Sequence, residues 1–431
     1  MYLLQLPTEV LTETLLYLDD ASLTTVALCN KRLSQICSSE ILWKKLSASF
    51  RISDREQPPT FSYKALYQKL LTKYAWLLGL WQSNHTYHGS LLLVSFDPDT
   101  ASIQGTLVRA QEQTPGQVNV WSLDHGVVII DPKFHQYRQD LFRISLDPEG
   151  NVLVQLLQQG FQSIHWENNV NIVECSFDNH DDCPYLWSSV RTAMRHNTDR
   201  IIEPPSMPRK QSTRAFTFSL PADDVSEVGS LNRSQIPTQS TSSARKLFHW
   251  MGTSNAWLHD LPQFCKLPSS LTRIQDAIKP SHLNVNLLKQ MSSFQVDKYD
   301  GFPEGLFRSY YGSHGLEYLI IRHDKKNHKL VCHKVTGDLN IPRSEISWLV
   351  PDTSQHSRVC IEEEFASALA YDALGHVAYQ GFSGERMIPA ELIIVNQDKL
   401  ALHWRDLLQI IIYNRCTLED FNQVLMQNSS W

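Results

Sequence analysis

No apolar run in this chain reaches the roughly 18 residues that a membrane-spanning helix needs. There is no long Lys/Arg run either, and only eight cysteines are scattered through 431 residues. Each absence removes a class of function. A bilayer-crossing helix is not expected. A formal charge of −6 without a basic run argues against nucleic acid or an anionic membrane as a partner. The opening MYLLQLPTEV lacks the basic n-region and cleavage site of a secretory signal, so the cysteines read as reduced thiols in a cytoplasmic or nuclear protein. The phosphate-cradling loop, the dinucleotide fingerprint and the G-x-S-x-G elbow are missing as well. Ser313-His314 and Ser383 therefore do not make a hydrolase, because an adjacent Ser and His create no nucleophile–base geometry by themselves. Cys332 and His333 are strand neighbours that point to opposite faces. The expectation is a non-catalytic protein.

What is present is a folded chain of more than one unit, 42% hydrophobic and 19% charged. Residues 1–50 read as a small helical unit. Pro7 suits a first helical turn, and Val10, Leu11, Leu15 and Leu18 share a face. Ser22 is the expected N-cap of a second helix, and Leu33, Ile36, Cys37 and then Leu42, Trp43 and Leu46 continue the apolar pattern. About 45 residues give a small core, so the unit needs a partner or neighbour. Residues 51–78 read as a helical connector carrying Tyr63, Leu66, Tyr67, Leu70 and Leu71.

From residue 79 the pattern switches to strands. SLLLVSF, ASIQGTLVRA, GQVNVWSL, HGVVIID, LFRISLD and NVLVQLL are short runs bounded by Gly, Pro, Asp or Asn, as in an antiparallel sheet or barrel. Residues 203–246 are rich in Ser, Thr, Pro and Gln and read as a flexible insertion. LTRIQDAIK, HLNVNLLKQM and the terminal TLEDFNQVLMQNSS read as helices. At the centre of the second half, Leu316–Ile321 and Lys329–Lys334 form a hairpin around the polar turn Asp324–His328. Two Gly-bearing clusters, YGSHGLE and TGDLNIP, border its open end, where loops carry binding groups.

These stretches carry a resemblance. GLFRSYYGSHGLE followed by KVTGDLNIP closely resembles the substrate domain of the F-box only protein thirty-one family. LGHVAYQGFSGERMIPAELIIVNQDKLALHW resembles that domain's closing strands, and YAWLLGLWQSN its opening. The N-terminal succession LP-x-EVL, YLD, SL, KRLSQIC and LW is similar to an F-box. The resemblance implies an α+β chain: an N-terminal helical F-box followed by a mainly antiparallel β-barrel-like substrate domain (79–431) with helical insertions. It implies docking of the helices on the S-phase kinase-associated adaptor, and through it on a cullin ubiquitin ligase. Leu6, Pro7, Val10, Leu11, Leu15 and Leu18 would be the docking or supporting positions. It further implies capture of short C-terminal segments of protein substrates for degradation. The alternatives are a helical cap, or a scaffold acting outside a ligase.

Candidate recognition residues are Trp81, Tyr311, His314, Glu317, Arg322, Thr336, Asp338 and Asn340, with Tyr310 and Trp404 as further aromatics. The bland reading is that the glycines and Asp338 only shape turns. No cofactor is required by the pattern. Zinc is the one candidate: Cys175, His180 and Cys183 have ligand spacing, with His165 nearby, and the resembled family carries zinc in this region. Solvated loop residues are the alternative.

Overall fold

The computed structural model describes residues 3–48, 62–83, 89–97, 99–110, 120–124, 127–130, 136–159, 164–168, 170–175, 215–219, 264–267, 301–310, 316–338, 340–341, 343, 345–379 and 383–416. Ala215–Ser219, inside the 203–246 stretch expected to be a flexible insertion, is instead a strand of the first sheet with Phe216 and Phe218 in its core. The rest of that stretch, the helices expected between residues 271 and 291 and the C-terminal helix lie outside the described residues.

Four helices open the chain: α1 (Thr8–Leu15), α2 (Asp20–Cys29), α3 (Lys31–Cys37) and α4 (Glu40–Ala48). Leu11, Leu15, Leu23, Ile36, Cys37 and Leu42 make their core. The N-cap of α2 is Asp19, not Ser22. The Asp19 carboxylate accepts the Ser22 N–H at 2.7 Å, so an acid at the positive end of the helix starts it three residues earlier. Asn30 caps α3 in the same way. The expected connector is helical but is no mere link. A π-helical segment, Leu66–Leu71, sits between α-helical turns at Tyr63–Ala65 and Thr72–Tyr74. Its apolar side chains enter the core of the first sheet. Trp43 packs on Tyr67 with ring centroids 5.6 Å apart, and Glu40 accepts the Tyr63 N–H at 2.6 Å, which ties the helices to the sheet.

Twenty strands follow among the described residues. The first eleven are β1 (Gly79–Ser83), β2 (Leu91–Asp97), β3 (Ser102–Ala110), β4 (Val120–Asp124), β5 (Val127–Ile130), β6 (Gln136–Leu146), β7 (Val152–Gln159), β8 (Ile164–Glu167), β9 (Asn171–Cys175), β10 (Ala215–Ser219) and β11 (Phe264–Lys266). The rest are β12 (Gly305–Tyr310), β13 (Leu316–Asp324), β14 (Lys329–Lys334), β15 (Ile346–Val350), β16 (Arg358–Val359), β17 (Leu369–Tyr379), β18 (Ser383–Ile394), β19 (Lys399–Trp404) and β20 (Gln409–Arg415). One antiparallel sheet runs β8-β7-β6-β3-β2-β1-β11-β10-β9. Its two outermost strands, β8 and β9, are consecutive in sequence and joined by residues 168–170. A link that short holds them within about 14 Å, so the sheet is rolled.

The second sheet closes on itself. The order β12-β13-β14-β15-β17-β18-β19-β20 is completed by pairing of β20 with β12, giving an eight-stranded antiparallel barrel. At eight strands the interior is just wide enough to be filled by side chains. Alternate residues of every strand fill it: Phe307, Leu319, Ile321, Leu330, Cys332, Trp348, Leu402, Trp404, Ile411 and Tyr413 among them. β4 and β5 leave the first sheet, against the plain reading of their sequence neighbours, and β5 pairs in parallel with β20.

Candidate functional site

The hairpin read from sequence is β13 and β14, paired from Leu319–Lys334 down to Asp324–Lys329. In β13 the inward positions include Leu319 and Ile321, so by period two Glu317 also faces the interior; in β14, Leu330 and Cys332 place Lys334 there. An acid and a base thus enter the barrel at one mouth. Lys334 Nζ donates to Glu317 Oε1 at 2.6 Å and also to the carboxylate of Asp338, and all three groups are buried. Burial, partly opposed by Lys334 and reinforced by Asp338, pushes the Glu317 carboxyl up to about 8, so it carries a proton at neutral pH. Burial opposes the charge of Lys334, but Asp338 and Glu317 outweigh it and hold the ammonium protonated above its ordinary range.

Asp338 also builds the loop. Its Oδ1 accepts the N–H groups of Asn340 (2.6 Å) and Ile341 (2.7 Å), and its own N–H donates to the Ile341 carbonyl at 2.9 Å. Thr336 Oγ1 accepts the Tyr318 N–H at 3.0 Å, and Asn340 Nδ2 donates to the Ala378 carbonyl at 2.7 Å, pinning the loop to the end of β17. The first sheet supports this loop from below. Gln82 Nε2 donates to the Val335 carbonyl at 3.2 Å, across the two sheets. Gly89, at φ +62°, lies so close that a Cβ would stand 2.7 Å from that carbonyl and 2.9 Å from Arg343 Cδ. Arg343 is fully buried beneath it, and burial pushes its guanidinium down to about 10.

Glu317, Thr336, Asp338 and Asn340 therefore come together. Arg322 does not join them: it lies five residues along β13 from Glu317, about 17 Å away at strand rise. Trp81 does not line a pocket. Its ring is wholly buried in the first sheet's core, 4.8 Å from Phe216, and its indole N–H donates to Leu77. Tyr310 and Trp404 are buried in the same sense. Tyr311 and His314 lie outside the described residues. Sequence reasoning missed Lys334, although a lysine in phase with Leu330 and Cys332 is the signal of a buried ion pair. Ser309 stands between Glu317 and Tyr413 in register, and its buried hydroxyl has no hydrogen-bond partner among the described residues. Such a hydroxyl is a place for a polar ligand atom or a water. Burial pushes the Cys332 thiol well up, so it is no thiolate nucleophile.

Of the adaptor candidates, Leu11 and Leu15 are core residues that support the helices, Leu6 and Leu18 are half-buried, and Pro7 and Val10 are exposed. Tyr17, Leu28 and Ile41 are further exposed apolar side chains there. For zinc, His165 and Cys175 fall on β8 and β9, while His180 and Cys183 lie outside the described residues. Among the described residues no cluster of three His, Cys, Asp or Glu side chains could hold a metal. Nor is any described helix long and apolar enough to cross a membrane.

Comparison with known families places two matches on this geometry. The F-box-like family model matches residues 3–49, so the four helices form an F-box-like domain. The model described as the Cyclin D1 binding domain matches residues 292–420, the span of the closed barrel. No curated protein matches the chain.

Proposed function

We propose that this chain is the substrate-recognition subunit of a cullin-type ubiquitin ligase, related to the F-box only protein thirty-one family. Its helices dock on the S-phase kinase-associated adaptor, and its barrel holds short C-terminal segments of protein substrates destined for degradation. The observation that carries the reading is the pairing of an F-box-like domain, with Val10, Tyr17, Leu28 and Ile41 exposed, with a barrel similar to the Cyclin D1 binding domain. Exposed apolar side chains clustered on a small helical unit are what a protein partner covers. The barrel match is compatible with a substrate-binding role. The transfer chemistry then belongs to partner subunits, in the cytoplasm or nucleus.

The recognition surface is the mouth bordered by Glu317, Thr336, Asp338 and Asn340, and Tyr311 and His314, which precede β13 in sequence, are further candidates for it. The buried triad fixes the loop, and a bound peptide end meets backbone groups and the Ser309 hydroxyl. Zinc held by His165, Cys175, His180 and Cys183 is part of the same proposal, and elemental analysis of the purified protein tests it.

The first experiment is co-purification with adaptor and cullin. Val10→Asp combined with Leu28→Asp should lower adaptor affinity by about tenfold or more, because both side chains are exposed and the fold is spared. Binding at the wild-type level would remove the F-box role. A peptide array varying C-terminal residues and end groups then tests the barrel.

A further inference from the structure

Twelve large apolar side chains are exposed among the described residues, and five of them (Leu4, Val10, Tyr17, Leu28 and Ile41) belong to the helical domain. Of the other seven, Val359, Ile361 and Leu369 gather at a single ladder. Val359 pairs directly with Leu369 across β16 and β17, and Ile361, two residues past Val359 and just beyond the end of β16, is also exposed. Their exposures are 50%, 89% and 38%. The alternate residues point the other way and are fully used. Cys360 and Ala370 pack with Phe365, Ile393 and Ala401 on the barrel's outer face. Arg358 forks onto Glu391, with Nε–Oε1 at 3.0 Å and Nη2–Oε2 at 2.8 Å. The strand therefore buries one face well and offers the other to solvent.

The same strand is an edge. β15 pairs with β17 only at Trp348–Gly375 and Leu349–Leu374, so the first half of β17 has β16 as its neighbour instead. Among the described residues β16 has no strand on its far side. Ser357 to Ile361 (SRVCI) contains neither Pro nor Lys, two of the devices that usually blunt an exposed edge. The charge around it is one-sided. Residues 352–372 contain five acids (Asp352, Glu362, Glu363, Glu364 and Asp372) and one arginine. Arg358 is committed to Glu391 and Glu362, and Arg405 from outside the stretch reaches Asp372 at 3.2 Å and Glu391 at 3.3 Å, which still leaves the stretch net acidic.

We propose that the β16 edge, with Val359, Ile361 and Leu369, docks an extended segment of a partner protein in which apolar side chains alternate with Lys or Arg. The Ile361 N–H already donates to Glu362 Oε2 at 3.0 Å, so strand addition would pair with the backbone at Val359; alternate apolar residues would cover Val359 and Ile361, and the basic residues would meet the acids. The surface is separate from the recognition mouth. Asn340 holds the loop to Ala378, whereas Leu369 lies nine residues earlier on β17, about 30 Å away. It therefore does not depend on the reading of that mouth.

The test uses the full chain and short fluorescein-labelled peptides: one alternating Lys and Val, one alternating Glu and Val, one alternating Lys and Ser. Fluorescence polarisation should show saturable binding of the Lys–Val peptide alone, weakened by salt. Ile361→Ser and Val359→Ser should each lower its affinity by about tenfold or more at an unchanged melting temperature, since both side chains are exposed. Failure of the Lys–Val peptide to bind, equal binding of either other peptide, or indifference to both substitutions would overturn the proposal. So would self-association in sedimentation that Ile361→Ser abolishes, because the occupant would then be a second copy of this chain.

Discussion

Lys334 donates to Glu317 at 2.6 Å inside the mouth of the barrel, and each of the two side chains is at least nine-tenths shielded from water. Two strands must pair in one register to bring them there, since Lys334 stands opposite Leu319, the inward residue next to Glu317. A pair so placed is costly to leave half-made. The loop that carries Asp338 inherits its position from it.

Removing the base should show this. Lys334→Met keeps the length and apolar stem of the side chain but leaves Asp338 charged beside Glu317 without a cation. The expected cost is about 3–5 kcal/mol of folding stability, read from urea unfolding. A loss under about 1 kcal/mol would mean that the acids find another partner.

The pH dependence follows from Glu317. Its folded value is raised to about 8 from an ordinary 4.5 by burial and Asp338. The folded chain therefore holds a proton that the unfolded chain gives up. The stabilisation is complete below about pH 4.5 and is lost as the pH climbs through 8. Glu317→Gln, which cannot ionise, should lose less stability than the wild type between pH 5 and pH 8.5. Parallel curves of unfolding midpoint against pH would refute a protonated Glu317.

Asp338→Asn separates turn from charge. Asparagine keeps an oxygen for the Asn340 and Ile341 N–H groups but turns an amide donor towards the Lys334 ammonium. Loss of the charge-assisted bond should cost about 1.5–3 kcal/mol. Under the proposed function, affinity for the best array peptide should fall by about tenfold or more in protein that still binds adaptor. Unchanged peptide affinity in the folded variant would take Asp338 out of recognition.

Gly375 tests the packing of the barrel. A Cβ at this position would lie 2.1 Å from Cζ3 of the Trp404 ring, which is fully buried and cannot swing away. Gly375→Ala should lower stability by about 1–3 kcal/mol or more, measured by thermal unfolding. An unchanged melting temperature would show that the ring has another seat.

Much of this architecture was legible in the sequence because it rests on local periodicity. Leu11, Leu15, Leu33 and Leu42 recur at helical spacing, and they are core residues of the F-box-like helices. The short apolar runs LLLVSF, LFRISL and LEYLIIR, bounded by turn residues, gave strands, and the polar turn between Leu316–Ile321 and Lys329–Lys334 gave the hairpin. Glu317, Thr336, Asp338 and Asn340 were placed together because both clusters had to lie at its open end.

What tertiary structure alone decided is everything that depends on pairing between distant segments. Closure of the barrel requires Ser309 to meet Tyr413, more than a hundred residues later. β5 joins β20 in parallel rather than staying with β6, and no local pattern records that choice. Trp81 could equally have lined a pocket or filled a core; the Phe216 ring that covers it comes from β10, far along the chain. A side chain's type and phase fix which face it takes. Whether that face meets solvent, a ligand or another strand is settled by the hydrogen bonds and packing that only the folded chain supplies.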